Sequence, residues 1–215
     1  MSAPAPDVLA AACQALAADD PALARAYAEI GPPNWRVVEP GYAGLARIIA
    51  FQQISTRAAA AIWERVCGVL DEISAQSMLD LDEAVLRDCG MSRPKIAHLR
   101  SAAAAVVCGD LPLQSLGQLP VDEARERLLA VKGIGPWTAD VFLLTATGAL
   151  DAFPAGDVGL MESYRQLRGD AAKFEAKAFA RQAETWRPYR GVAAHLLWDW
   201  LNHQRDRDVA PAPKA

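Results

Sequence analysis

Features that mark membrane, secreted and nucleotide-binding proteins are missing from this 215-residue sequence. It has no apolar run of about 18 residues. Its N-terminus has no basic segment ahead of a short apolar one, so we expect neither a membrane span nor a secretory signal peptide. The glycine-rich patterns GxGxxG and GxxxxGK[ST], which cradle nucleotide phosphates, do not occur.

Cysteine and histidine are scarce, with four and three residues respectively. The cysteines are widely spaced and form no CxxC pair; they are Cys13, Cys67, Cys89 and Cys108. This spacing argues against zinc or iron–sulfur ligation and favours free thiols in a reducing cytoplasm. We therefore expect a cytoplasmic protein without a metal cluster.

Positive charge is in slight deficit, because 22 Lys and Arg stand against 26 Asp and Glu and give a net charge of −4. An acidic balance weighs against a nucleic-acid partner, although DNA responds to the local surface that it meets. Residues 71–88 are acidic, whereas the segment 91–100 carries Arg93, Lys95 and Arg100 without an acidic residue. That segment is compatible with DNA contact and equally with a solvated helix face of mixed charge.

Apolar residues recur at helical spacing and alternation of β-branched residues is almost absent, which predicts an all-α fold. Glycine and proline mark the breaks between helices. The predicted helices lie near 7–18, 20–30, 42–53, 56–70, 80–88, 93–108, 121–130, 136–147, 158–167, 171–183 and 189–204.

The segment LLAVKGIGPWTAD (128–140) predicts two helices joined by a very tight turn. Gly133 and Gly135 allow a backbone path that side chains would obstruct, and Ile134 between them can enter the core. Pro136 suits the first turn of the second helix. Backbone N–H groups at such a turn can contact DNA phosphates without distinguishing base sequence. The alternative is an ordinary helical hairpin with a glycine-rich turn.

The longer string VKGIGPWTA resembles the DNA-binding element of the helix-hairpin-helix (HhH-GPD) DNA glycosylase superfamily, in its 3-methyladenine DNA glycosylase II branch. The resemblance extends over about residues 40–203. It implies a phosphate-binding turn formed by Lys132, Gly133, Gly135 and Thr138. It also implies a monovalent cation, Na⁺ or K⁺, held by main-chain carbonyls, which by position are those of Leu129, Val131 and Ile134.

The resemblance further implies an all-α molecule with two helical lobes flanking a cleft. Residues 36–150 form the lobe that contains the helix-hairpin-helix at about 121–147. Residues 1–35 together with 151–208 form the second lobe, and 209–215 are expected to be a disordered tail. Longer members carry an additional N-terminal β-rich domain, so this sequence resembles a compact form.

A carboxylate follows the hairpin in the segment LDAFPAGDVGL (150–160). Asp157 stands at the start of a predicted helix, where an aspartate is favoured as an N-cap and by the helix dipole. Capping alone would explain it. The resemblance implies more, because an aspartate after a Phe-Pro turn is the essential carboxylate of these glycosylases, and Phe153 and Pro154 match that turn. Asp140 and Asp151 are the nearest rival acids, and Asp140 is expected to be structural.

One carboxylate suffices chemically for a restricted group of substrates. Breaking an N-glycosidic bond places oxocarbenium charge on the deoxyribose, which an ionised aspartate stabilises while it positions or deprotonates a water. A purine such as 3-methyladenine or 7-methylguanine is already cationic in DNA and departs without an acid. The sequence therefore predicts base release by hydrolysis alone, from bonds that alkylation has weakened.

Trp137 occupies the position at which the strand-cleaving relatives carry a lysine that forms a Schiff base. An indole cannot form an imine, so we expect no AP lyase activity. Lys132 is an alternative amine, although its place in the turn favours a phosphate contact. The C-terminal four-cysteine cluster of those relatives is also absent, which agrees with an enzyme without an iron–sulfur cluster.

The target base must leave the duplex to reach the carboxylate, and a cationic base favours aromatic pocket walls. Candidates are Trp137, Tyr189 and Trp198, with Trp186 and Trp200 in the same C-terminal stretch. The resemblance assigns base stacking to Trp198. Packing in the core is the alternative for each of these aromatic residues.

The segment ARIIAFQQISTRAAAAIW (46–63) resembles the part of the family that inserts into DNA. Gln53 and Ile54 lie at a predicted break between two helices. By resemblance, Ile54 is the apolar wedge that fills the gap left by the flipped nucleotide. A half-buried isoleucine between helices is the alternative.

Taken together, these features predict a monofunctional glycosylase that initiates base excision repair of alkylated purines in duplex DNA. We expect a monomer of bacterial type that acts on the nucleoid and whose abasic product passes to an AP endonuclease. One alternative keeps the fold but acts on mismatched, deaminated or oxidised bases. Another is a non-catalytic helix-hairpin-helix module that only binds DNA.

Overall fold

The all-α prediction is confirmed by a computed structural model that describes residues 3–209, except for the side chains of residues 56 and 207–209. No strand occurs within this range. Twelve α-helices are described there, and none of them is long and apolar enough to cross a membrane. Their bounds are α1 Pro6–Asp19, α2 Pro21–Ile30, α3 Tyr42–Phe51, α4 Thr56–Val69, α5 Ala75–Asp80, α6 Glu83–Asp88, α7 Arg93–Val107, α8 Val121–Leu129, α9 Pro136–Phe142, α10 Val158–Arg168, α11 Ala176–Ala183 and α12 Arg190–Val209.

The chain divides into two compact units. Val37–Gly148 forms the first unit, and residues 3–36 together with 149–209 form the second. The sequence-based division placed the corresponding boundaries at residues 36 and 150. The hairpin therefore belongs to the first unit, and the loop that carries Asp157 belongs to the second.

Long basic side chains in the first unit donate hydrogen bonds to the carbonyls at the C-terminal ends of helices. Lys95 donates to the carbonyl of Ala50 in the last turn of α3, at 2.7 Å. Arg100 donates to the carbonyls of Met78 and Leu81 at the end of α5. Two of the three bases in the segment 91–100 thus satisfy carbonyls that lack intrahelical partners. Lys95 and Arg100 are therefore used within the first unit, which neither of the two interpretations of that segment had included.

The second unit is organised around a buried carboxylate, Asp20. It caps α2 by accepting from the N–H groups of Ala22 and Leu23, at 2.8 and 3.3 Å. Its second oxygen accepts from the Tyr164 hydroxyl at 2.8 Å and from the Trp186 indole at 2.9 Å. The four donors come from three parts of the unit, so Asp20 joins the α1–α2 corner to α10 and to the segment before α12.

Several helix boundaries differ from the prediction. Helix α3 ends at Phe51, which leaves residues 52–55 as a connecting loop. Helix α9 passes into a π-helical turn over Leu143–Thr147, and α5 had not been predicted. Helix α12 continues to Val209, so it includes the first residue of the predicted tail, and 210–215 lie outside the described residues.

Candidate active site and DNA-binding hairpin

Asp157 is held at the N-terminus of α10 by the loop that precedes it. Phe153 is buried against Phe179 and Trp186, with ring centroids 5.4 and 5.6 Å away. A turn follows, in which the Asp157 N–H donates to the Pro154 carbonyl at 2.8 Å. Asp157 Oδ1 then accepts from the Leu160 N–H at 3.0 Å, so the residue is a true N-cap.

The Asp157 carboxylate also contacts the side chain of a distant helix. Trp198 on α12 donates its indole N–H to the same oxygen, Oδ1, at 3.3 Å. Asp157 remains half-buried rather than enclosed. The hydrogen bond from the Leu160 N–H is sufficient for capping. The bond from the Trp198 indole is additional and orients the carboxylate beside an aromatic ring.

Three consecutive residues before the first unit pack along α12, and we call residues 34–36 the strap. The Asn34 N–H donates to Asp199 Oδ2 at 2.7 Å. The Trp35 ring stacks on that of His195, with centroids 3.9 Å apart and an interplanar angle of 18°. The Arg36 guanidinium lies over the Trp198 ring, 4.6 Å from its centroid.

His195 is fully buried beneath the strap. Its Nδ1 lies 2.9 Å from the Gly191 carbonyl, and its ring meets Trp198 edge to face at 5.5 Å. Burial lowers the pKa of His195 to about 4, so the imidazole is neutral at physiological pH. A neutral, flat ring suits the parallel stack with Trp35.

Arg36 brings positive charge to the carboxylate site. Desolvation by the surrounding protein lowers the pKa of the guanidinium, while the charges of Asp199 and Asp157 act in the opposite direction. The residue as a whole is exposed, while its guanidinium carbon lies over the Trp198 ring. Sequence reasoning missed the strap. Its available signal was an aromatic–basic pair in an irregular segment between Pro33 and Pro40.

The predicted aromatic pocket residues separate into distinct environments. Trp198 adjoins Asp157, but the ring is only 8% exposed and its face is covered by Arg36. Tyr189 immediately precedes α12, nine positions before Trp198, and is half-buried. Trp186 and Trp200 are anchored to carboxylates, Trp186 to Asp20 and Trp200 to Glu29 Oε2 at 2.7 Å. Trp137 is half-buried in the first unit.

The rival acids are engaged in ion pairs. Asp140 is buried in the first unit and accepts from Arg125 Nε at 2.6 Å and Nη2 at 3.3 Å. Asp151 accepts from Arg187 and Arg190 beside the start of α12. Bidentate or clustered arginine contacts of this kind are structural, which agrees with the interpretation of Asp140.

The hairpin turn between α8 and α9 has the geometry that its glycines predicted. Gly133 has φ of +94°, and a Cβ there would stand 2.4 Å from Cδ2 of His98. Gly135 caps α9 with φ of −88°, and nothing lies within 4 Å of the position its Cβ would take. Ile134 is buried and Lys132 is exposed. Gly133 is thus required by the turn itself, whereas Gly135 leaves open space at its α-carbon.

Of the predicted phosphate contacts, Thr138 could supply only its backbone N–H in the first turn of α9, because its side chain is used within the first unit. The residue is 1% exposed, and its hydroxyl accepts from the Gln52 amide. A phosphate cannot reach a hydroxyl that is enclosed and already paired in this way. The contact instead ties the 52–55 loop to α9, which places the predicted wedge segment against the hairpin within the first unit.

The wedge segment has an unusual backbone and an exposed apolar side chain. Gln53 has φ of +57°, in the left-handed region that non-glycine residues seldom adopt. Ile54 follows it and is 39% exposed. This exposure is compatible with a wedge and also with the alternative of a half-buried isoleucine between helices.

The cation site implied by resemblance consists of main-chain carbonyls only. Leu129 is the last residue of α8, in a turn whose carbonyls lack intrahelical donors and carry the negative end of the helix dipole. The Val131 carbonyl accepts from the Ile134 N–H at 3.1 Å within the turn. These oxygens are of the chemical type that a monovalent cation takes. Among the described residues, no group of three His, Cys, Asp or Glu side chains could hold a metal ion.

An all-α fold with a glycine hairpin and an N-capping aspartate against an indole defines a class of DNA base-excision protein. Residues 46–188 match the family model described as HhH-GPD superfamily base excision DNA repair protein, and the chain belongs to this family.

The chain is similar to several named members of the family. It is 33% identical over 162 residues to DNA-3-methyladenine glycosylase 1 of Schizosaccharomyces pombe, covering 73% of this chain and 71% of that protein. A solved structure of the S. pombe 3-methyladenine DNA glycosylase Mag1 in complex with abasic DNA matches with a TM-score of 0.81 and 31% identity, covering 87% of this chain and 95% of that one. A DNA-3-methyladenine glycosidase structure from Bacillus halodurans matches with a TM-score of 0.76 and 28% identity, covering 96% and 94%.

Proposed function

We propose that this protein removes alkylated purines from duplex DNA by hydrolysing the N-glycosidic bond, with Asp157 as the catalytic carboxylate. The observation that carries the proposal is the half-buried Asp157 carboxylate, whose Oδ1 is held by the Leu160 N–H and the Trp198 indole. Its relatives named DNA-3-methyladenine glycosylase support the substrate class. The chain is an N-glycosylase that initiates base excision repair.

The reaction needs negative charge held beside C1′ of the damaged nucleotide. As the C1′–N bond breaks, its electron pair leaves with the base and oxocarbenium charge develops on the sugar. The Asp157 carboxylate stabilises that charge and takes a proton from the water whose oxygen bonds to C1′. Two hydrogen bonds hold Oδ1, so the carboxylate keeps its orientation as the charge on the sugar grows.

The leaving group explains why alkylated purines suit this site. A 7-methylguanine or 3-methyladenine base is cationic in DNA and becomes neutral when it takes the electron pair. Protonation of the leaving base is then unnecessary, whereas ordinary glycoside hydrolysis needs a second carboxyl group. Asp140 and Asp151, which could supply one, are held by arginines.

Hydrolysis without strand cleavage follows from the residue at the start of α9. Trp137 stands where a lyase would carry its lysine, and an indole nitrogen forms no imine with C1′. Lys132 is exposed at the turn and is assigned to the DNA backbone. The product is therefore an intact strand with an abasic site, which an AP endonuclease then processes.

The first unit supplies the contacts with undamaged DNA. Lys132 and the backbone at Gly133 and Gly135 contact phosphates. The carbonyls of Leu129, Val131 and Ile134 would hold a monovalent cation, whose positive charge would add to the attraction for phosphate. Ile54, presented by the bend at Gln53, wedges into the stack in place of the flipped nucleotide. We assign this activity to a monomer in the cytoplasm.

Two other functions remain as hypotheses with distinct outcomes. An enzyme for mismatched, deaminated or oxidised bases would keep Asp157 but release a different base. A DNA-binding module without catalysis would release none. The half-buried carboxylate beside Trp198 favours catalysis over the module.

A mass-spectrometric survey of the bases released from methylated duplex DNA tests the proposed function. We expect 3-methyladenine and 7-methylguanine to be released by the wild type, and more slowly by Ile54→Ala because base flipping is impaired. Borohydride added during the reaction should trap no protein–DNA adduct. The proposal fails if no alkylated base is released or if a covalent adduct accumulates.

A further inference from the structure

The strap places the Arg36 guanidinium beside the proposed catalytic site, although the proposed hydrolysis needs no positive charge there. Hydrolysis of a cationic purine uses a carboxylate and an aromatic surface, and positive charge beside them opposes the entry of a positive base. Yet Arg36 lies 4.6 Å over the ring of Trp198, which itself donates to Asp157. The position of Arg36 over this ring is therefore not explained by the hydrolysis of cationic purines.

The strap holds Arg36 at this position through its two neighbours. Asn34 bonds to Asp199, and Trp35 stacks on the buried ring of His195. Asp199 and His195 lie one and three residues from Trp198 on α12, so the three contacts fall along one short stretch of the helix. The backbone entering Arg36 is therefore anchored, and only its side chain can move aside for a base.

The base gains one unit of negative charge in both kinds of release, but it starts from a different charge. A cationic 7-methylguanine loses its positive charge as the C1′–N9 electron pair enters the ring. An uncharged purine such as hypoxanthine gains negative charge in the same step. A fixed positive charge near the ring therefore favours departure of both bases but opposes binding of the cationic one. Measured from free substrate to transition state, it disfavours release of the cationic purine and favours release of the uncharged one.

We propose that Arg36 is a specificity-determining residue that shifts the base site from cationic toward uncharged purines. The inference rests on the proposed function, because it takes the Trp198–Asp157 pair as the place where the base is released. A base that stacks on Trp198 replaces the guanidinium over the ring. Arg36 then lies beside the base and donates to the atoms that gain negative charge.

The step balances for both kinds of base. With hypoxanthine, the C1′–N9 bond breaks, N9 keeps the electron pair, and the water oxygen bonds to C1′. The proton that this water loses ends on the departing base, so the products are neutral hypoxanthine and an abasic site. With 7-methylguanine the base leaves neutral and the proton of the water passes through Asp157 to solvent.

Single-turnover release from two matched duplexes tests the role of Arg36. One duplex carries 7-methylguanine and the other carries hypoxanthine at the same position, with enzyme in excess of DNA but at concentrations below saturation, so that the rates include binding of the base. Arg36→Met should raise the ratio of the 7-methylguanine rate to the hypoxanthine rate roughly ten-fold, as expected for one charge at this range. Arg36→Lys keeps the charge and should stay near the wild-type ratio.

Arg181→Met is the matched control, because it removes an equal charge from an exposed position on α11 of the same unit. It should leave the ratio unchanged. An unchanged ratio in Arg36→Met, or an equal loss of both rates, would overturn the inference and leave the glycosylase assignment intact. If the wild type releases neither base, the proposed function itself is wrong. Thermal melting of each variant confirms that the fold is retained.

Discussion

At the residue scale, Asp157 is the N-cap of α10 and, in the proposed mechanism, the catalytic carboxylate. An N-cap must face its own helix, and Oδ1 does so through the Leu160 N–H. The Trp198 indole shares that oxygen, which fixes the plane of the carboxylate more tightly than a cap alone would. In the proposed mechanism the cap also positions the carboxylate for catalysis, so the two interpretations of Asp157 are compatible with one arrangement.

The burial of His195 predicts that the stability of the protein depends on pH. Its pKa falls from an ordinary 6.5 to about 4 on burial, so below pH 6.5 the unfolded chain binds a proton that the folded chain rejects. The free energy of unfolding should consequently decrease as the pH is lowered, by about 2 kcal/mol between pH 7 and 5, and this decrease levels off below pH 4.

Chemical denaturation at a series of pH values measures this effect. His195→Phe keeps a flat ring against Trp35 and should show a much smaller loss between pH 7 and 5. His203→Phe, an exposed histidine on the same helix, is the control and should behave as the wild type. Glu162 contributes little in this window, because the stability that its contact with Arg165 provides is lost only as the pH falls from the ordinary pKa of 4.5 toward the lowered pKa of about 2. Parallel curves for His195→Phe and the wild type would contradict the account.

At the scale of elements, the hairpin and the 52–55 loop form one assembly within the first unit. Gln52 bonds to Thr138 on α9, and the next residue, Gln53, takes a left-handed conformation before the exposed Ile54. His98 on α7 packs against Gly133 and so supports the turn from behind. The hairpin is thus supported by its contact with α7, and the 52–55 loop by its contact with α9.

The two hairpin glycines should respond differently to substitution. Gly133→Ala places a Cβ against His98 at a positive φ and should lower the free energy of unfolding by about 1–3 kcal/mol. Gly135→Ala meets open space at negative φ and should change it by less than about 0.5 kcal/mol.

DNA binding separates the structural effect from the functional one. Gly135→Ala should fold normally yet bind undamaged duplexes of any sequence more weakly, because its methyl group intrudes where the backbone approaches phosphate. Fluorescence anisotropy with two unrelated duplexes makes the comparison. Wild-type affinity in a stable Gly135→Ala protein would show that phosphate does not approach this residue.

At the scale of the whole molecule, local patterns were predictable and contacts distant in sequence were not. The helical class, the tight turn at Gly133 and the cap at Asp157 each follow from a few adjacent residues. The strap could not be predicted in this way. Asn34 and Asp199 are 165 positions apart, and no local pattern around Asn34 indicates that they are in contact. Helical periodicity could not show that Lys95 and Arg100 are used inside the protein or that Thr138 is enclosed.

The most direct test of the central claim compares Asp157→Asn with the wild type in single-turnover release of 7-methylguanine from a defined duplex. Asparagine keeps the helix cap, so the variant should fold and bind an abasic-analogue duplex, yet lose at least about 100-fold in release rate. Asp170→Asn, which alters the aspartate just beyond the other end of α10, is the control and should release the base normally. Release by Asp157→Asn at the wild-type rate would contradict the assignment of Asp157 as the catalytic carboxylate.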